Sequence, residues 1–333
     1  MTYLVTGAGG FVGLALLDHL LSGGATVRAF NDRPLAPEAL AHFATLPGRL
    51  EPIRGDVRDR AAVAAALKGT AGAVHLAAIT LGARADIVPA RRAAEVNTLS
   101  TAILLEEARR AGVPRVVYPS SGAVYGALPL GPEVVTEATE PAPSGLYGFT
   151  KLASEALAKE ANRDGLSTVR ARITAVFGPW EYDTGVRETL SPPFQIAARG
   201  LAGLPTRIGA GGARDWTSSR DIARALATLL RAEAPPHDLY NLSSGAIWRP
   251  DLLAEAMQSK TPFDWSLTGA GTDEGDLEYN DDLSRTRTPI DGRRFREDFG
   301  FDYLTPEAAA ADYAAWLATP AASALLTPKG DAA

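Results

Sequence analysis

The stretch TYLVTGAGGFVG, Thr2 to Gly13, sets four glycines, Gly7, Gly9, Gly10 and Gly13, between one apolar run and the next. Glycine weakens helices and strands, so such a cluster answers a backbone need that other residues do not meet. The run before it is strand-like and the run after it has helical periodicity, which makes the cluster a strand-to-helix turn. In such a turn Gly7 permits the reversal, Gly10 lets a pyrophosphate approach N–H groups at the helix N-terminus, and Gly13 lets helix and strand pack closely. A βα turn without a ligand is the alternative reading; position and spacing favour a dinucleotide.

Working outward, short runs rich in Val and Ile recur through about residue 172: YLVT, TVRAF, RLEPIRG, GAVHLAA, RVVYPSS and STVRARI. Between them lie helical stretches such as DRAAVAAALKG, NTLSTAILLEEARRAG and YGFTKLASEALAKEANRDG, several ending in the glycine that follows a helix. This rhythm predicts an α/β fold, a Rossmann-like doubly wound parallel sheet whose ligand sits at the carboxyl ends of the strands. After VFGP the pattern loosens into loops rich in Pro, Gly and Arg, with helices expected near 194–201, 220–231, 250–258 and 305–317. The expected division is a dinucleotide-binding domain over 1–178, a smaller mixed substrate-binding lobe over 179–327 and a flexible tail over 328–333. Segments around 215–245 are candidates to return to the first domain.

The chain has 333 residues, 46% of them hydrophobic, enough for a sizeable core. Its net charge of −6 is spread over both signs, which argues against nucleic acid as a partner. Cysteine is absent, excluding disulfides and thiolate chemistry and fitting a reducing, cytoplasmic setting. No run has the length of a membrane span, and the chain opens without a signal-peptide pattern. The histidines show no metal-ligand spacing, so no metal is expected.

Further motifs follow in order: GDVRD, HLAA, EVN, SSGAVYG, YGFTK, VFGP and RDWTSSRD. Taken with TGAGGFVG, they make the sequence resemble, over nearly its whole length, the extended short-chain dehydrogenase/reductase family, the NAD-dependent epimerase/dehydratase group. The resemblance implies catalytic roles for Ser121, Tyr147 and Lys151. Tyrosine, with a pKa of about 10, is a poor base near neutrality. Lys151 lies one helical turn beyond Tyr147, so its ammonium can favour the phenolate. A shift of about three units would need roughly 4 kcal/mol, within reach of a close cation and an oxidised nicotinamide together. Ser121 would orient the substrate oxygen, while Ser120 points to the other side of the strand. Lys151 would also hold the nicotinamide ribose.

The resemblance also places Phe11, Val12, Asp56, Val57, Leu76, Ala77, Ala78 and Asn97 at the cofactor, Asp56 against the adenine, with a strand-end cap the alternative, and Asn97 through backbone contacts that fix the active-site end, with structural support or a solvated helix position the alternatives. At the end of the second strand, where a carboxylate would select NAD, stands Asn31, followed by Asp32 and Arg33. Asparagine tolerates either ribose, Asp32 favours NAD if it turns inward, and Arg33 could pair the phosphate of NADP. NAD is the expected cofactor, with NADP the alternative.

Dehydratases of the family carry acidic residues just after the serine position; here Gly122 and Ala123 stand there, which argues against elimination. Nucleotide-sugar members carry an asparagine where this chain has Ala175, so a smaller polyhydroxy substrate is favoured. Candidate substrate contacts are Ser121, Gly122, Trp180, Arg187 and Arg214, with Thr189, Trp216 and Asp221 nearby in sequence. Arginine can clamp an anion and tryptophan can pack on a sugar face; an Arg214–Asp221 ion pair is the structural alternative.

These readings point to an NAD(P)-dependent oxidoreductase acting on a secondary alcohol or ketone of a free sugar, sugar acid or hydroxy acid. A sugar or nucleotide-sugar epimerase with retained NAD is one alternative. A non-catalytic dinucleotide sensor is another, which would have no use for Tyr147 and Lys151. The resemblance implies a dimer seam on the two helical stretches NTLSTAILLEEARRAG, 97–112, and TKLASEALAKEA, 150–161, so a homodimer is expected; a helix packed against the sheet is the alternative.

Overall fold

A computed structural model describes residues 1–80, 89–127, 134–183, 190–268, 275–279 and 287–326. The six sequence-predicted runs form β1 (Thr2–Thr6), β2 (Thr26–Asn31), β3 (Arg49–Arg54), β4 (Gly72–His75), β5 (Val116–Ser121) and β6 (Thr168–Ile173). Five later strands are β7 (Val176–Phe177), β8 (Thr206–Ile208), β9 (Thr217–Ser218), β10 (Leu239–Leu242) and β11 (Trp265–Leu267). The main sheet has the order β10-β6-β5-β4-β1-β2-β3, and every pairing in it is parallel. β10 lies within 215–245, so that stretch returns to the sheet and extends it beside β6.

Strand burial follows position. β4 is buried throughout, as the near-continuous apolar run of a covered parallel strand requires. β3 is the outer edge, and half-exposure together with Pro52 marks it as one. One face carries the helices Phe11–Ser22 and Ser219–Arg231, which pack on each other; the other carries Arg60–Leu67, Ser100–Arg110 and Leu146–Arg163. The later helices fall at Pro192–Leu201, Ser219–Arg231, Asp251–Met257 and Pro306–Leu317, within a few residues of expectation. The tail over 328–333 lies outside the described residues.

The chain runs from β1 outward to β2 and β3, then crosses back to β4 on the other side of β1. The carboxyl ends of β1 and β4 therefore border the crevice where such sheets bind ligands. Gly7 follows β1 there, and Leu76–Ala78 follow β4.

Candidate active site

The glycine turn is tight on its inner side and open on its outer side. Gly7 has φ +65°, and a Cβ there would stand 2.6 Å from the Ala77 nitrogen. A Cβ at Gly13 would stand 2.4 Å from the Gly7 carbonyl oxygen, so this glycine lets the helix meet the turn. At Gly10 the requirement is different: apart from its chain neighbours, a Cβ would meet only the Gly7 oxygen at 3.3 Å. Gly10 is the N-cap of the helix Phe11–Ser22, and no side chain caps the first N–H groups. The turn thus offers a helix N-terminus with room beside it, which fits a diphosphate. The Phe11 and Val57 side chains pack into the core.

At the end of β2 the Asn31 carboxamide accepts from Gly9 N–H at 3.2 Å and donates to the Arg33 carbonyl at 3.0 Å. Asp32 and Arg33 are exposed. Asp56 is held by Arg58, through the backbone N–H at 2.9 Å and the guanidinium at 2.6 Å, so it caps the turn after β3.

A buried polar chain ties the ends of β1 and β4 together. Ala77 N–H donates to Thr6 Oγ1, which lies 2.7 Å from His75 Nδ1; His75 Nε2 lies 3.2 Å from Ser100 Oγ. Ser100 donates to the Val96 carbonyl, so it accepts from His75, which places the imidazole hydrogen on Nε2 and lets Nδ1 accept from Thr6. Burial, then the Lys151 charge, hold His75 down from 6.5 to about 3. The folded state refuses a proton that the unfolded chain takes up below pH 6.5. This contribution is full above pH 6.5 and is lost toward pH 3, by at most about 1.4 kcal/mol per pH unit. The urea midpoint of His75→Gln should therefore fall less between pH 6.5 and 4.5 than that of the unmodified protein; parallel curves would remove His75 as the cause.

Asn97 is buried in the π-helical turn Glu95–Leu99. Its carboxamide accepts from Ile79 N–H at 2.7 Å and donates to the Ile79 carbonyl and to Thr150 Oγ1, both at 3.0 Å. One side chain thus joins the segment after β4 to the helix Leu146–Arg163. That helix starts against the 3₁₀ turn Gly122–Tyr125, so closely that a Cβ at Gly148 would stand 2.6 Å from the Ala123 carbonyl oxygen.

Lys151 is buried and donates from Nζ to the Pro119 carbonyl at 2.7 Å, two residues before Ser121. Its Nζ lies 5.9 Å from the Tyr147 ring centre and 4.9 Å from that of Tyr118. Burial pushes Lys151 down to about 8, against the opposing charge of Glu155. Tyr147 is half-buried. Ser121 is half-exposed and its Oγ accepts from Ala123 N–H at 3.2 Å; Ser120 is buried. The strand's alternation accounts for this difference.

Several substrate candidates stand elsewhere. Trp180 is 1% exposed: its ring packs on His42, Phe43 and Trp316, and its indole N–H donates to Asp18. It is a core side chain, which corrects the expectation of a sugar-stacking face. Trp216 is likewise buried, donating to the Gly212 carbonyl. Arg214 is 1% exposed and donates to the Ala213 carbonyl at 3.1 Å. Asp221 is engaged by Arg224 at 2.7 Å and by Leu304 N–H at 2.8 Å, which replaces the considered pairing with Arg214. Arg187 and Thr189 lie outside the described residues. A Cβ at Gly122 would stand 2.7 Å from the terminal methyl of Ile290, so a side chain there would require Ile290 to shift.

Sequence reasoning missed the Thr6–His75–Ser100 chain, Thr150 and the buried pair Glu155–Arg172. Glu155 lies one turn past Lys151, a spacing that could have revealed it; the others became visible only through tertiary contacts.

A family model described as the NAD dependent epimerase/dehydratase family matches residues 3–243. Sterol demethylase protein B of Methylococcus capsulatus is 38% identical over 187 residues, 55% of this chain and 53% of that protein. D-erythronate dehydrogenase of Cupriavidus necator is 35% identical over 174 residues, 50% of this chain and 52% of that protein. The chain spans about half the length of these curated relatives. Among solved structures, MoeE5 in complex with UDP-glucose and NAD is 28% identical with a TM-score of 0.73, covering 95% of this chain and 98% of that one.

Proposed function

This chain belongs to the NAD-dependent epimerase/dehydratase family, and on that premise we propose that it is an oxidoreductase acting on a secondary alcohol or ketone of a small polyhydroxy substrate. A free sugar, sugar acid or hydroxy acid is the class we favour. The observation that carries this reading is the buried Lys151 side chain, whose Nζ lies 5.9 Å from the Tyr147 ring centre, beside the strand end that bears Ser121. Bound NAD supplies the hydride acceptor or donor. Tyr147 takes the hydroxyl proton, Lys151 favours the phenolate by its charge, and Ser121 hydrogen-bonds the reacting oxygen. The turn Gly7–Gly13 would hold the diphosphate, and Asn31 the adenosine ribose end.

Two features support oxidation or reduction over elimination on a nucleotide sugar. Gly122 carries no side chain where the resemblance would put a dehydratase acid, and Ala175 offers no side-chain donor to a substrate diphosphate. The relative named D-erythronate dehydrogenase is, by its name, a sugar-acid enzyme.

The test is incubation with NAD or NADP and a panel of free sugars, aldonic and uronic acids, UDP-glucose and a sterol alcohol, followed by absorbance of the reduced nicotinamide. Accumulation with a sugar or sugar acid is expected. Product without net reduction would identify an epimerase that retains its cofactor. Turnover of the sterol alone, the class named by the relative of 38% identity, would overturn the substrate class.

A homodimer is part of this reading. Leu146, Phe149, Ala153 and Ala156 form an exposed stripe on one face of the helix Leu146–Arg163, with Phe149 56% exposed, and exposed Leu99 lies on the adjoining π-helical turn. Sedimentation at micromolar concentration should give the dimer mass, and Phe149→Glu should give the monomer. A monomer for the unmodified protein would remove the seam. No described helix is long and apolar enough to cross a membrane.

A further inference from the structure

The glycine turn is gripped from a direction that the dinucleotide motif does not foretell. The Tyr182 hydroxyl donates to the Gly9 carbonyl at 2.8 Å. Gly9 N–H donates to Asn31 Oδ1 at 3.2 Å, and Gly10 N–H to the Gly7 carbonyl at 3.0 Å. The peptide between Gly9 and Gly10 is therefore pinned at its oxygen by Tyr182 and at its nitrogen by Gly7, while the preceding peptide is pinned by Asn31. Without these bonds two successive glycines would be the most mobile backbone in the site.

The segment that brings Tyr182 there is firmly built. Trp180 has φ +74°, a left-handed conformation held by its core packing and its bond to Asp18, and it is the one non-glycine residue with positive φ among those described. Glu181 is wholly buried and accepts from Ser191 Oγ at 2.7 Å and Ser191 N–H at 3.3 Å, where the helix Pro192–Leu201 begins. Two successive residues are thus anchored in separate elements, and the third reaches the turn. Burial raises the Tyr182 pKa, with Arg33 opposing, which keeps the phenol protonated as a donor.

We propose that Tyr182 is a positioning residue for the dinucleotide turn: its bond to Gly9 pre-sets the backbone that receives the cofactor diphosphate, and so governs NAD affinity. A turn ordered before the ligand arrives does not have to be ordered by it. The proposal rests on the NAD-dependent reading above.

The experiment compares the full chain with Tyr182→Phe, which keeps the ring and removes the donor. NAD and ADP dissociation constants are measured by titration calorimetry, alongside the thermal midpoint of the free proteins. Loss of one hydrogen bond should weaken both ligands about five- to tenfold, by the same factor, because both carry a diphosphate. Unchanged dissociation constants overturn the proposal, even if the variant melts earlier, since Tyr182 is then structural only. Weaker NAD with unchanged ADP also overturns it, by placing the effect at the nicotinamide end. An unmodified protein that binds neither ligand overturns the NAD reading itself and this proposal with it. One that binds both normally, with an indifferent variant, sinks only the role of Tyr182.

Discussion

Replacing Tyr147 with phenylalanine should lower kcat by about a thousandfold or more and leave NAD affinity within twofold of the unmodified protein. Positioned general bases contribute about 10²–10⁴ in rate, and the phenol oxygen is the group that this substitution removes. The change should be local. Gly148 still fits beneath the Ala123 carbonyl, and the Asn97–Thr150 bond still ties the helix to the segment after β4. Lys151 still donates to the Pro119 carbonyl, so the helix keeps its register. The measurement is steady-state turnover with the substrate found by the panel, alongside calorimetric NAD binding. Full activity in the variant would demand another base.

The second large effect is on stability. Arg172 on β6 donates to Glu155 in a two-pronged pair, at 2.9 Å from Nε and 2.7 Å from Nη2, and both side chains are buried. The Arg172 guanidinium also lies 4.7 Å from the Tyr125 ring centre. The two hydrogen bonds and the charge of Glu155 outweigh burial and raise the Arg172 pKa, so the guanidinium keeps its charge. Arg172→Met would leave a buried carboxylate one turn from Lys151, whose Nζ is already directed at Pro119. Breaking a buried pair in this way costs about 3–5 kcal/mol, whereas replacing both partners by apolar residues of similar volume is often near neutral. Urea unfolding should therefore show Arg172→Met strongly destabilised and Glu155→Leu/Arg172→Met largely recovered. A single variant within about 1 kcal/mol of the unmodified protein would show that the pair is not what holds the helix Leu146–Arg163 to β6.

What proved legible in the sequence was local. Strands β1 to β6 were visible because buried parallel strands are short apolar runs, and their helices because the apolar period changes between them. Gly7 and Gly13 were legible because a side chain at either would collide with backbone close by in the turn or the next strand end. That Tyr147 and Lys151 share one helix, one turn apart, was legible because the helical period fixes that spacing.

Trp180 misled because aromatic and arginine residues in a loop-rich stretch look the same whether they face a ligand or a core. Its ring is buried by His42, Phe43 and Trp316, residues from distant parts of the chain. The same holds for Tyr182 and Gly9, Glu155 and Arg172, and Thr6 and His75: each pairing depends on where the chain returns. The sequence by itself determined the α/β rhythm, the glycine turn and the tyrosine–lysine spacing, because period and backbone sterics act over a few residues. Only the tertiary structure decided which polar side chains meet and which aromatics are core, because hydrogen bonding and burial join residues that the chain separates.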